Sequence, residues 1–180
     1  MNALDNNFDE IFKSNYDKVF SFIYSVSASW TLAEDITQET FIKAFKNIHS
    51  FRNESKISTW LNKIAYNIFI DYKRENKSPL LSIDDDMLLA KLADLKKNLP
   101  KETEQRIMSQ CIQEKIMKIP EKNRIPLLLD IQGYTNQEKA MILGYSLDNT
   151  KIRLHRARKK LREILGEDCL LYYDERNVFC

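Results

Sequence analysis

The sequence predicts an all-α protein of two small helical domains joined by a linker, the second containing a helix-turn-helix. Three observations predict it. Turn formers are scarce: three glycines and four prolines in 180 residues, roughly a third of ordinary usage. That is too few for the tight turns of a β-sandwich or barrel. Apolar residues recur at spacings of three and four, the period of a helix face. A glycine separates two helical patterns near the C-terminal end, the second of them strongly basic. Hydrophobic content of 43% suffices for packed cores. A net charge of +2 does not by itself announce a nucleic-acid partner, so only a local concentration of charge could.

In the first segment, Phe8, Ile11, Phe12, Tyr16, Val19, Phe20, Ile23 and Tyr24 mark one face of a helix over 5–27. Thr31 followed by Glu34 is a capping-box pattern that predicts the start of a second helix. Its apolar face is Leu32, Ile36, Phe41, Ala44, Phe45 and Ile48. After a polar stretch, Arg52 to Lys56, a third helix is predicted from Ser58 to Arg74, with Trp60, Leu61, Ile64, Ala65, Ile68 and Ile70 apolar. These helices make the first domain, residues 1–75.

Composition then shifts. Residues 76–102 hold Pro79, Pro100 and the run Asp84-Asp85-Asp86, with five basic and five acidic residues, and read as a linker. Helical pattern resumes over 104–118 and opens the second domain, 103–165. Pro120 suits the first position of the next helix. Pro126 lacks an N–H and is expected to kink or restart that helix. Thr135 with Glu138 is a second capping box. The short helix it starts is expected to end at Gly144 in the left-handed conformation. A long helix then runs to about Leu165, and 166–180 forms a tail expected to pack back on this domain.

Helix, glycine-containing turn, helix is the helix-turn-helix arrangement. From Lys151 to Arg162 there are seven basic residues, one histidine and no acid. A quarter of the 28 basic residues therefore lie in twelve positions, the footprint of a phosphate-contacting element. Phase places Thr150, Leu154, Ala157, Leu161 and Ile164 inward. The early turns of such a helix enter the major groove, so Lys151, Ile152, His155 and Arg156 are the candidates for base edges. Arg153, Arg158 and Lys160 are expected at phosphates.

Other chemistry is not indicated. No run of 18 apolar residues exists, so no membrane insertion is expected. Met1 to Glu10 is acidic, the wrong charge for a secretory signal. Cys111, Cys169 and Cys180 have no metal-ligand spacing. With two histidines and no Cys/His cluster, neither a metal site nor a cofactor is expected. His49 and His155 form no pattern with a Cys or Ser nucleophile, so no catalytic residue is assigned. A reduced, cytoplasmic chain is the simplest reading.

Two motif blocks resemble the extracytoplasmic-function (ECF) sigma factors of the sigma-70 family. Leu143-Gly144, Lys151 and the run Arg153-Leu154-His155-Arg156-Ala157-Arg158-Lys159-Lys160-Leu161-Arg162 resemble region 4. Ala33-Glu34-Asp35-Ile36-Thr37-Gln38-Glu39-Thr40-Phe41 through Phe45 resembles the polymerase-binding helix of region 2. Phe51-Arg52-Asn53-Glu54-Ser55, Thr59-Trp60-Leu61, Asn67, Asp71 and Arg74 resemble its promoter −10 segment. The blocks occur in family order across most of residues 8–165.

The resemblance implies roles. Asp35, Gln38, Glu39 and Phe41 would bind core RNA polymerase. Arg52, Asn53, Glu54 and Ser55 would receive an unstacked base of melted −10 DNA, with Lys63, Asn67, Asp71, Tyr72 and Arg74 along the strand. Asn149, Lys151, Ile152, Arg153, His155, Arg156 and Lys159 would meet duplex −35 DNA. The linker would pass near the RNA path, Asp84–Asp86 adding acid there. An anti-sigma factor is an expected partner. Some residues depart from the pattern. Asp148 stands in the usual Gly-Thr-Val-Lys approach to the recognition helix, where it is expected to cap. Lys139 replaces an apolar residue and Met141 a polar one, which predicts a slight rotation of the first helix of the motif. The residues leave two further functions open: a conventional helix-turn-helix regulator, binding duplex operators without polymerase, and a regulator-binding protein that keeps the polymerase or anti-sigma contact but does not melt DNA.

Overall fold

The structure is a computed structural model in which residues 3–76 and 115–168 are described, with side chains over 8–76 and 115–165. In chain order its helices are α1 (Ala3–Ser27), α2 (Trp30–Asn47), a 3-10 turn (Ile48–Ser50), α3 (Ile57–Glu75), α4 (Glu121–Ile131), α5 (Asn136–Leu143) and α6 (Leu147–Asp168). No strand occurs among the described residues. Of the helix expected over 104–118, only 115–118 is described, and 115–117 of it is helical. The linker and the tail beyond Asp168 lie outside the described residues.

The first three helices pack on one another as their apolar stripes require. α1 contacts both α2 and α3, so it needs a wider apolar stripe than the one read from spacing. Phe22, fully buried and 6.4 Å from Tyr66, supplies the added width. The start of α2 differs from expectation. Ser29, not Thr31, is the N-cap, its side chain accepting from the Leu32 N–H. Phe45, expected inward, is half exposed. It packs edge-on against Phe8 at the rim instead.

The second unit shows two further differences. α4 runs through Pro126 without a break. A proline removes the donor to the carbonyl four residues earlier, here that of Lys122. Arg153 from α6 donates to that carbonyl at 3.3 Å. Pro120 sits at the N-cap of α4 rather than inside its first turn. The Thr135–Glu138 capping box and the left-handed Gly144 (φ 68°) fall where they were read. α6 is capped by Ser146, whose Oγ accepts from the Asn149 N–H at 3.2 Å. Asp148 is exposed in the first turn, where its charge still favours the helix dipole.

The two units share a core. Val19, Phe22, Ile23, Leu61, Ala65 and Phe69 belong to the same buried cluster as Ile125 and Leu129 of α4 and Tyr134, Ile142 and Leu143 of the α5 region. A smaller cluster, Ile119, Leu127, Leu154, Ala157 and Ile164, holds α6 on α4. The inward face read for α6 is thus the buried one. Polar groups pin the units together as well. Asn62 Nδ2 donates to the Tyr134 hydroxyl at 2.8 Å within buried surroundings. Lys56 pairs with Glu138 at 3.0 Å and Lys73 with Glu121 at 2.6 Å.

Candidate functional site

The basic helix presents its chemistry outward. Lys151, Ile152, His155, Arg156 and Lys159 are exposed, Ile152 by half. Leu154, Ala157 and Ile164 anchor the opposite side. The outward set therefore follows from the helical period once the buried side is fixed. Two predicted members of the set are used elsewhere. Asn149 Oδ1 accepts from Arg153 Nε at 2.9 Å. The Arg153 guanidinium lies over the Tyr145 ring at 4.7 Å and reaches the Lys122 carbonyl. Arg153 is a half-buried strut between α4 and α6, so within this structure its guanidinium is engaged inside the protein. Arg158, expected at phosphate, instead donates to Asp130 at 2.6 Å.

The 51–56 segment makes a concave site. Ser50, Phe51, Arg52, Glu54, Ser55, Thr59, Trp60, Lys63 and Met141 line a cleft of about 240 Å³. Asn53 sits at the loop tip with φ of 56°. Asparagine tolerates that left-handed geometry better than most residues. Trp60 is half buried and tilted against Phe51 at 5.3 Å, so it is both wall and support. Met141 comes from α5 of the other unit.

Along α3, Lys63, Asn67, Asp71 and Arg74 follow one another at spacings of four and three, and all are exposed. Asp71 pairs with Arg74 at 3.3 Å. Asp71 and Tyr72 also turn toward α2, lining a second cleft with Asp35, Glu39 and Lys43. The structure thus brings part of the expected −10 set beside the expected polymerase set. Asp35, Gln38 and Glu39 are exposed on α2, Glu39 pairing with Lys43 at 2.7 Å. Phe41 is 4% exposed and packs against Phe8, Phe12 and Tyr16. That corrects its assignment: it holds α2 on α1 and cannot be a surface contact.

Three further groups shape the site, through contacts across helices that spacing did not reveal. Tyr134 and Asn62 bond across the units, and burial holds the Tyr134 hydroxyl above its ordinary pKa. Glu138 closes the capping box and also binds Lys56. Burial raises its carboxyl, but bonds from Thr135 and Lys56 outweigh this and leave it below the usual range. Asp130 likewise is raised by burial and lowered further by Lys139 and Arg158. Lys139 was the only signal in the sequence: it stands at an apolar position. The helix is not rotated to expose it. Lys139 stays 1% exposed and finds Asp130, while Met141 is 41% exposed.

Comparison with known proteins agrees with this arrangement. The sigma-70 region 2 family matches residues 11–78 and the sigma-70 region 4 family residues 109–161. The chain is 35% identical over 159 residues to the ECF RNA polymerase sigma factor SigW of Bacillus subtilis, covering 84% of each chain. It is 28% identical to the RNA polymerase sigma factor YlaC of the same organism, over 86% of this chain and 90% of that one. Among solved structures, the sigma factor RpoE in complex with the anti-sigma factor NepR from Bartonella quintana has a similar fold. The TM-score is 0.67 at 21% identity, over 90% of this chain and 98% of that chain.

Proposed function

The chain belongs to the ECF sigma factors of the sigma-70 family and is an RNA polymerase sigma factor, and from that premise we propose which surfaces do the work. α6 reads duplex −35 DNA in the major groove through Lys151, Ile152, His155, Arg156 and Lys159. The 51–56 cleft captures an unstacked −10 base with Arg52, Asn53, Glu54 and Ser55, and Lys63, Asn67 and Arg74 guide the strand. Asp35, Gln38 and Glu39 dock on core polymerase, where exposed charges give orientation and salt-sensitive pairing. Nucleotide addition belongs to the polymerase, so the chain needs no catalytic group of its own. The protein works in the cytoplasm. No helix among the described residues is long and apolar enough to cross a membrane.

One observation carries the −35 assignment. Among the described residues, Lys151, His155, Arg156 and Lys159 have no ion-pair or hydrogen-bond partner. Four unpaired donors on one exposed helix face suit a polyanion. An operator-binding regulator would share this face. It would leave the exposed carboxylates of α2 and the 51–56 cleft without a use.

The units are closed on one another, with α5 packed on α3. The −10 and −35 elements are about 25 base pairs apart, roughly 85 Å at ~3.4 Å per base pair. Both cannot be read while α3 touches α5. Loading on a promoter therefore separates Asn62 from Tyr134 and Lys56 from Glu138. An anti-sigma factor would act by favouring the closed form. The test is run-off transcription on a fragment library with purified core polymerase. Discrete new start sites that need both proteins are expected, and their upstream sequences would define both elements. Operator binding with no effect on core polymerase would sink the assignment.

A further inference from the structure

We propose that Asp130 is a positioning residue for −35 recognition, locking the helix-turn-helix and withholding Arg158 from the DNA backbone. The inference rests on α6 reading duplex DNA. Three observations carry it. Lys139 is 1% exposed, and an ammonium that deeply buried needs a counter-charge. Asp130 Oδ1 supplies it at 2.5 Å. The other oxygen of the same carboxylate, Oδ2, accepts from Arg158 Nη2 at 2.6 Å.

One carboxylate thus joins α4, the first helix of the motif and the reading helix. Their relative angle decides where Lys151, Ile152, His155 and Arg156 meet base edges. An apolar residue at 139 would fill the same space without fixing a direction, whereas a charged bond is directional. The second consequence concerns charge. The guanidinium of Arg158 is half exposed and lies on a helix that approaches phosphates. Bound to Asp130, it is neutralised and held toward α4. α6 then meets DNA with fewer phosphate contacts than its seven basic residues suggest. Less of the binding is sequence-independent, so discrimination rises relative to plain affinity.

The experiment uses holoenzyme assembled from the full chain and core polymerase, on −35 duplex and on a scrambled duplex, at 50 and 200 mM salt. Asp130→Asn alone strands a buried lysine and risks unfolding. The informative variant is Asp130→Asn with Lys139→Leu, which removes both charges of the buried pair and frees Arg158. One added phosphate contact steepens the salt dependence by about 0.9 in log–log slope. The double variant should therefore lose roughly 3.5-fold more affinity than wild type between the two salts. It should also discriminate less between the duplexes, and adding Arg158→Gln should restore the wild-type slope. A merely structural role would not move the slope. An unchanged slope with normal binding overturns the proposal. A wild-type holoenzyme whose affinity ignores the −35 sequence instead overturns the reading of α6, and Asp130's role with it.

Discussion

α3 and α6 both carry a polar face assigned to DNA, yet the structure treats them differently. On α6 the face is open: Lys151, His155, Arg156 and Lys159 are exposed. On α3 the assigned residues Lys63, Asn67 and Arg74 are exposed too, but a second polar set, Thr59, Asn62 and Tyr66, is buried, and the helix packs on α5. The Tyr66 hydroxyl is pushed well above its ordinary pKa by burial first, and then by Tyr145 beside it. A helix's polar residues can bind a ligand only where no neighbouring helix has claimed them. α6 keeps its whole polar face for a ligand, whereas α3 spends part of its polar surface on holding the units together.

That contrast can be broken at its foundation. Phe22 lies behind α3 in a core that continues into α4 and α5. Phe22→Ala should cost about 3–5 kcal/mol. Because the cluster is continuous, tryptophan fluorescence and helical circular dichroism should report one midpoint. Both tryptophans, Trp30 and Trp60, lie in the first unit, so separated transitions would show that the second unit folds independently.

The open face is tested by Arg156→Ala. A loss of about 1–3 kcal/mol in −35 discrimination is expected. Unchanged preference among −35 variants would remove Arg156 from the reading set.

The covered face is tested by Tyr134→Phe. It leaves the buried Asn62 amide without its 2.8 Å partner, at about 1–3 kcal/mol. The loss falls on closure alone, so a dye pair, one on each unit, should report more open molecules. Wild-type transfer efficiency would mean that the hydrogen bond does not hold the units together.

The smallest effect belongs to Lys56–Glu138. Lys56 is 72% exposed, so solvent screens the pair and Lys56→Ala should weaken closure by under about 1 kcal/mol. The Glu138 carboxyl sits below its ordinary range in the closed form. Its contribution is therefore present above the ordinary glutamate value, ~4.3, and is lost as pH falls through the lowered one. The same dye pair in an acid titration should show opening, reduced in Lys56→Ala. An identical titration in the two proteins would dissociate Glu138 from the effect.

What the sequence determined by itself were the features set by local periodicity and capping. The existence of the helices, the Thr135–Glu138 box, the Gly144 stop and the outward set on α6 all depend on residues within four positions of one another. The motif blocks were legible for the same reason, being contiguous. Tertiary structure decided which side of each polar residue is taken. Phe41 passed for a docking residue because its helix has one, and only α1 packing puts it inside. Arg153 became a strut because Pro126, twenty-seven residues earlier, leaves a carbonyl needing a donor. Lys139 could be seen to be out of place, but its remedy, Asp130, sits on another helix. Whether α3 is open or covered depends on α5, far away in the chain. Such pairings are chosen by the packing of whole helices, and local spacing carries no record of them.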